Sequence, residues 1–176
     1  LEPGKVWQGL LYIIFGFWVL ILYRGLKPVM SRKEPWALPN WLVYATVSIL
    51  VLLFSGLMFT SKTNFVVADF WRWMVVHMWA EAFFEVFTTV LIGYFMVLMG
   101  LVSERAATRV IYVACLLFLG SGLLGISHNF YWNAKPVFTM ALGAVFSTLQ
   151  VVPLILLTLE AWRFSKLPGQ LENGIN

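Results

Sequence analysis

Charged residues are scarce in this chain of 176 residues. Asp, Glu, Lys and Arg together supply 11% of it, whereas hydrophobic types supply 61%. So little charge cannot cover the surface of a soluble domain, and the composition therefore indicates an integral membrane protein. The basic residues lie in short connections between apolar runs, which argues against nucleic acid as a partner.

Cysteine and histidine are scarce as well. The single cysteine, Cys115, excludes an internal disulfide and any metal site built from several cysteines. Its neighbours are Ala, Leu and Val, so we interpret it as a packing residue. The two histidines, His77 and His128, are the first candidates for chemistry. Because the chain begins at Leu1, directly before an apolar run, we expect it to be part of a longer protein.

Apolar runs of membrane-crossing length predict an all-α fold, a polytopic transmembrane helix bundle in one domain over residues 1–176. The five predicted spans cover about residues 6–26, 40–59, 74–102, 108–126 and 137–162. Pro153 predicts a kink in the fifth span, because proline cannot donate a backbone hydrogen bond.

The charges in the connections predict the orientation. Eight basic residues fall on one side: Arg24, Lys27, Arg32, Lys33, Arg105, Arg109, Arg163 and Lys166. The other four fall on the opposite side: Lys5, Lys62, Arg72 and Lys135. The positive-inside rule then puts the N-terminus of the chain outside and its C-terminus inside.

The third span carries His77, Glu81 and Glu85 at spacings of i, i+4 and i+8. In an α-helix this spacing places all three on one face. Ionisable groups in hydrocarbon are costly and face a bundle interior, a cavity or a metal. His128 and Asn129 close the fourth span, and the predicted topology puts both histidines at the same depth. We therefore expect one buried site.

The residue types favour a metal. Imidazole suits iron, copper and zinc, and a carboxylate favours the harder ions, so His77, His128, Glu81 and the Asn129 amide oxygen indicate non-haem iron over copper. A proton relay and a pair of structural histidines are the alternatives. Glu85 lies two turns from His77, which fits a supporting or proton-carrying role better than coordination.

Two further signals are weaker. Gly120, Gly122 and Gly125 match a GxGxxG pattern, but no strand precedes them, so close helix packing or room for a planar cofactor explains them better than a dinucleotide site. Gln150 is polar in the middle of the fifth span, and both an interhelical hydrogen bond and a place in the site lining remain open.

Several segments together resemble the catalytic subunit of the bacterial nitric oxide reductases, in the haem-copper oxidase superfamily. They are the opening 1–8, then 77–85, 128–132 and 141–147. The resemblance covers nearly the whole chain and implies the central five of a dozen or more helices. It also implies a multi-pass protein of the bacterial inner membrane.

What the resemblance implies is a haem b facing a non-haem iron, FeB. His77 and His128 would be two FeB ligands, Glu81 the nearby carboxylate and Glu85 a supporting acid. Asn129 stands where the family places a third histidine, and Gln150 where it usually places a glutamate. The axial ligands of the two expected haems would lie outside this chain.

The His128-Asn129 pair also resembles the nitric oxide dismutases, a quinol-type branch of the same family. Dismutation of NO to N2 and O2 needs no external protons or electrons, which suits a site with fewer acids. The expected function is therefore NO dismutation, with Asn129, Glu81 and Glu85 as catalytic residues. The alternatives are a reductase that makes N2O with a quinol or cytochrome donor, and an ion transporter or non-catalytic membrane subunit.

Overall fold

Every regular element that the structure describes is helical. The computed structural model describes residues 4–130 and 136–166, without the side chains of 81, 82, 121, 123–125, 127 and 164. The helices are α1 (Lys5–Leu26), α2 (Leu38–Leu53), α3 (Phe65–Val75), α4 (Phe84–Leu98), α5 (Glu104–Leu124), α6 (Val137–Leu149) and α7 (Val152–Phe164). A π-helical segment (Val76–Phe83) joins α3 to α4, and a 3₁₀ segment (Gly125–Phe130) follows α5.

Four described stretches are long and apolar enough to cross a membrane, which confirms the predicted all-α membrane bundle. They are Lys5–Val29, Leu38–Leu57, Phe65–Leu98 and Val137–Arg163. The third begins before the predicted 74–102, because α3 starts at Phe65 and continues through the π segment into α4. The predicted span 108–126 falls on α5, a helix of 21 residues, and on the start of the 3₁₀ segment.

The core forms where α2, α4 and α5 meet. One apolar row of α2, with members three or four residues apart, faces inward, as the helical period requires. The buried hydrophobic residues of this core are Leu38, Leu42, Ala45, Ile49, Val86, Phe87, Val90, Val102, Ala107, Val110, Ile111, Ala114 and Leu157.

Aromatic rings attach α1 to this core. Trp18 of α1 meets Phe87 edge to face at 5.1 Å between ring centroids, and Phe15 meets Trp79 of the π segment at 5.6 Å. At the start of α1, the Lys5 ammonium donates to the Gly56 carbonyl over 3.0 Å. The opposite face of α1 is a row of exposed apolar side chains, as expected for a helix in contact with lipid or with further helices.

The fifth predicted span is interrupted as the proline suggested. α6 ends at Leu149 and α7 begins at Val152, with Pro153 in its first turn. Proline fits there because the first-turn N–H groups have no partner within the helix. The break leaves Gln150 and Val151 between the two helices.

Gly120 is a point of close approach between α5 and α6. A Cβ atom on Gly120 would lie 2.6 Å from Cε1 of Phe146, so the ring would have to move. Gly122 packs against Met78, where a Cβ would be 3.4 Å from the sulfur. These contacts support helix packing as the reason for two of the glycines in the GxGxxG pattern.

We expect Gly120→Ala to destabilise the protein by about 1–2 kcal/mol, because overpacking outweighs the gain in helix propensity. Gly16→Ala is the matched control, since nothing lies within 4 Å of a Cβ at that position in α1. Thermal unfolding of the purified full-length protein in detergent measures both. Equal melting temperatures for the two variants would contradict the close contact with Phe146.

Candidate metal centre

The π-helical segment Val76–Phe83 places the first candidate ligand. Its wider turn is seen at its end, where the Phe84 N–H donates to the Trp79 carbonyl five residues back. Such segments are rare and are frequent at functional sites. The sequence predicted an uninterrupted α-helix here, whereas the structure has a wider turn between His77 and Glu81. The alignment of His77, Glu81 and Glu85 on one face stays a prediction.

His77 is fully buried, with 0% of its surface exposed. The His128 ring lies beside it, with centroids 5.1 Å apart and planes inclined by 71°. The two histidines are distant in the chain and therefore meet in one place only through the fold.

Ring packing holds the segment that carries His128. Phe130 stacks on Phe70 of α3, with centroids 6.5 Å apart and planes 9° from parallel. Asn129 lies between His128 and Phe130 in the 3₁₀ segment and is 6% exposed. The short segment thus presents a second imidazole and a buried amide side by side, next to the wide turn of the third span.

The two acids of the third span differ in their positions. The backbone of Glu81 belongs to the π segment, but its side chain lies outside the described part. Glu85 lies in the first turn of α4 and is exposed in this chain, unlike His77. The two acids thus belong to different elements, the π segment and α4.

Glu85 and Gln150 line one small cavity, together with Thr89 and Pro153. Gln150 is 8% exposed, and its Nε2 has no hydrogen-bond partner among the described residues. The interhelical hydrogen bond considered for Gln150 is therefore not made by this nitrogen within the described part. Its side chain lines a cavity with a carboxylate instead, at the break between α6 and α7.

A larger cavity of about 330 Å³ lies beside the histidine-bearing segment, between α1, the end of α2 and the third span. Val76 and Ala80, on either side of His77 in the chain, line it, and so do Leu11 and Tyr12 of α1. Its wall is mainly apolar. The sequence contained no signal for this cavity, because it is formed by residues from several separate elements.

The donor set fits a metal in part. Two imidazoles that bind one ion each place a nitrogen about 2.1 Å from it. That arrangement is compatible with ring centres 5.1 Å apart, as seen for His77 and His128. Among the described side chains, no third His, Cys, Asp or Glu joins this pair. Within this chain, the Asn129 amide and Glu81 are the remaining candidate donors.

The fold and the histidine pair together define a helical membrane protein with a buried imidazole site. Comparison with known families shows to which family this chain belongs. The family described as cytochrome c and quinol oxidase polypeptide I matches residues 3–170. The chain belongs to this family, which is part of the haem-copper oxidases.

Among individual relatives, the chain is similar to a nitric oxide reductase subunit of Stutzerimonas stutzeri. The two are 25% identical over 163 residues, which is 91% of this chain and 32% of the relative. The chain thus spans about a third of that relative's length. The predicted resemblance to the nitric oxide reductases and the haem-copper oxidases is therefore confirmed.

We expect His77→Ala or His128→Ala in the full-length protein to lower the bound non-haem iron at least about tenfold, because a second imidazole strengthens binding to a borderline metal. The measurement is the ratio of total iron to haem iron. Thr46→Val is the control, since this buried hydroxyl of α2 donates to the Leu42 carbonyl of its own helix. An unchanged ratio in both histidine variants would exclude the pair as metal ligands.

Proposed function

We propose that the full-length protein converts nitric oxide at a centre formed by His77 and His128. The observation that carries this proposal is the packing of the two imidazole rings, whose centroids are 5.1 Å apart. The buried amide of Asn129 follows His128 directly in the chain. Membership in an oxidoreductase family supports a redox centre over the ion pathway of a transporter.

The proposed centre would contain a non-haem iron and a haem b, which would supply electron transfer to NO when bound. His77 and His128 would hold the iron, and Glu81 and Asn129 would supply oxygen donors. The haem ligands would come from parts of the protein outside this chain, because both of its histidines would hold the iron.

Asn129 and Gln150 favour dismutation as the reaction. An amide is a weaker donor than the imidazole that the family places at position 129, so the iron would be bound less firmly. Reduction of two NO to N2O and water consumes two electrons and two protons. Dismutation of two NO to N2 and O2 consumes neither, and so does not depend on acids near the centre.

Reduction and dismutation differ in whether the centre needs a supply of protons. Glu85 shares its small cavity with Gln150, whose amide has no acidic proton to exchange near neutral pH. A carboxylate at position 150 would extend the acidic path from Glu85. Here that path is interrupted within the same cavity.

Nitric oxide reduction to N2O is the second candidate. The similarity to a nitric oxide reductase subunit favours it. In that case a quinol or a cytochrome would donate the electrons, and Glu81 and Glu85 would deliver the protons. We place either enzyme in the bacterial inner membrane, with the N-terminus of this chain outside.

Product analysis of the full-length protein in membranes tests the proposal. With 15N-labelled NO under argon and no electron donor, dismutation yields labelled N2 and O2 in equal amounts. If N2O forms, and only after quinol is added, the second candidate replaces the first. Absence of any product from haem-loaded protein would exclude both.

We expect Asn129→His to move the products toward N2O in the presence of quinol, because a third imidazole would bind the iron more firmly. Asn129→Gln is the control, since it keeps the amide. Mass spectrometry of the gases gives the ratio of N2 to N2O for each. The same ratio in wild type and Asn129→His would show that position 129 does not set the product.

The cavity beside the histidine-bearing segment offers a route for NO, which is small and apolar and concentrates in lipid. Leu11 lines this cavity, whereas its neighbour Leu10 is 45% exposed on the outer face of α1. We expect Leu11→Trp to raise KM for NO several-fold with little change in kcat, because the indole fills the route and leaves the centre intact.

Leu10→Trp is the matched control for this prediction. It adds the same volume one residue away but points outward from the bundle, so KM should stay near the wild-type value. Turnover is measured over a range of low NO concentrations. Equal KM values for the two variants would mean that NO does not pass through this cavity.

A further inference from the structure

A third cavity lies where α2 and α5 both begin. It has a volume of about 650 Å³ and is lined by residues of the 34–37 loop and of the first turns of α5. The loop contributes Glu34 and Trp36, and α5 contributes Glu104, Arg105 and Arg109. Two carboxylates and two guanidinium groups therefore border one space.

None of these four charged side chains forms an ion pair within the described residues. An ion pair elsewhere in the chain joins Arg72 to Asp69, at the start of the third span. The four groups are exposed. The cavity thus offers donors for a phosphate and acceptors for an ammonium group, within a single site of zero net charge.

The loop that forms one wall is held in place. Asn40, which is 3% exposed, accepts from the Ser31 N–H over 3.1 Å and donates to the Ser31 carbonyl over 2.7 Å. Trp36 packs on Trp41, with ring centroids 5.3 Å apart. A wall fixed in this way loses little freedom when a ligand binds.

An apolar track continues from the cavity along both helices. Trp41 of α2 meets Tyr112 of α5 edge to face at 5.6 Å, which joins the two helices just inside their starts. Beyond this contact, exposed apolar side chains continue at helical spacing on each helix. They are Tyr44, Val47 and Val51 on α2, and Tyr112, Leu116 and Leu119 on α5.

We propose that this cavity and track bind a phospholipid whose headgroup carries both a phosphate and a primary ammonium, as in phosphatidylethanolamine. Arg105 and Arg109 take the phosphate, and Glu34 and Glu104 take the ammonium, which has three N–H donors. The acyl chains lie on the track. An anionic headgroup would bring its charge near two carboxylates, and a choline headgroup has no N–H to donate.

The test uses the full-length protein, stripped of lipid in detergent and titrated with phosphatidylethanolamine, phosphatidylglycerol or phosphatidylcholine of the same acyl composition. Native mass spectrometry gives the lipid-bound fraction. We expect the ethanolamine lipid to bind most tightly. At about 1 kcal/mol for each contact near the surface, the double variant Arg105→Gln/Arg109→Gln should bind it about 30-fold more weakly.

Arg24→Gln/Arg163→Gln is the matched control, because these exposed arginines lie outside the cavity, and it should bind like the wild type. A second variant, Glu34→Gln/Glu104→Gln, keeps the arginines and should reverse the preference toward phosphatidylglycerol. Melting temperatures check that every variant is folded. Equal binding of the three lipids by the wild type, or equal loss in the control pair, would overturn the proposal, as would no binding at all.

Discussion

The cost of placing a polar ring in an apolar bundle governs the centre of this structure. His77 has no exposed surface, and a buried imidazole must find polar partners or a metal. The elements around His77 place polar groups beside its ring. The wide turn of the third span presents His77, the 3₁₀ segment after α5 presents His128, and the stacking of Phe130 on Phe70 holds that segment in place.

Stability comes from a different region. The buried row of α2 packs against α4, which in turn packs against α5, and the apolar residues of these helices repeat at helical spacing. The histidine pair lies beyond this core, in the segment after α5 and in the π segment. The helical core is regular, whereas the π segment and the 3₁₀ segment are not. Because stability is not uniform across a structure, these two segments can carry the chemistry without weakening the bundle.

Much of this organisation could be predicted from residue patterns. Low charge and long apolar runs predicted a helical membrane bundle, and two histidines at one predicted depth indicated a single site. The π segment could not be predicted, because neither glycine nor proline marks it and the 3.6-residue period was assumed throughout. The shared cavity of Glu85 and Gln150 was also missed, since the two residues are far apart in the chain and meet only through packing.

The faces of α1 and α6 that carry exposed apolar side chains are suited to contact with lipid or with further helices. Gln150 differs from these exposed side chains because it is buried within the chain itself. Its Nε2 still lacks a hydrogen-bond partner among the described residues. Its surroundings are therefore set by this chain and not by what packs against it.

The wide turn in the third span also sets the phase between two halves of one helix. Each residue of an α-helix advances by about 100° around the axis. A segment with bonds five residues back shifts α3 relative to α4 by a fraction of a turn. Loss of one residue within Val76–Phe83 would return the span to a regular α-helix and turn every earlier side chain by that angle. The position of His77 therefore depends on the number of residues in this segment as much as on their identity.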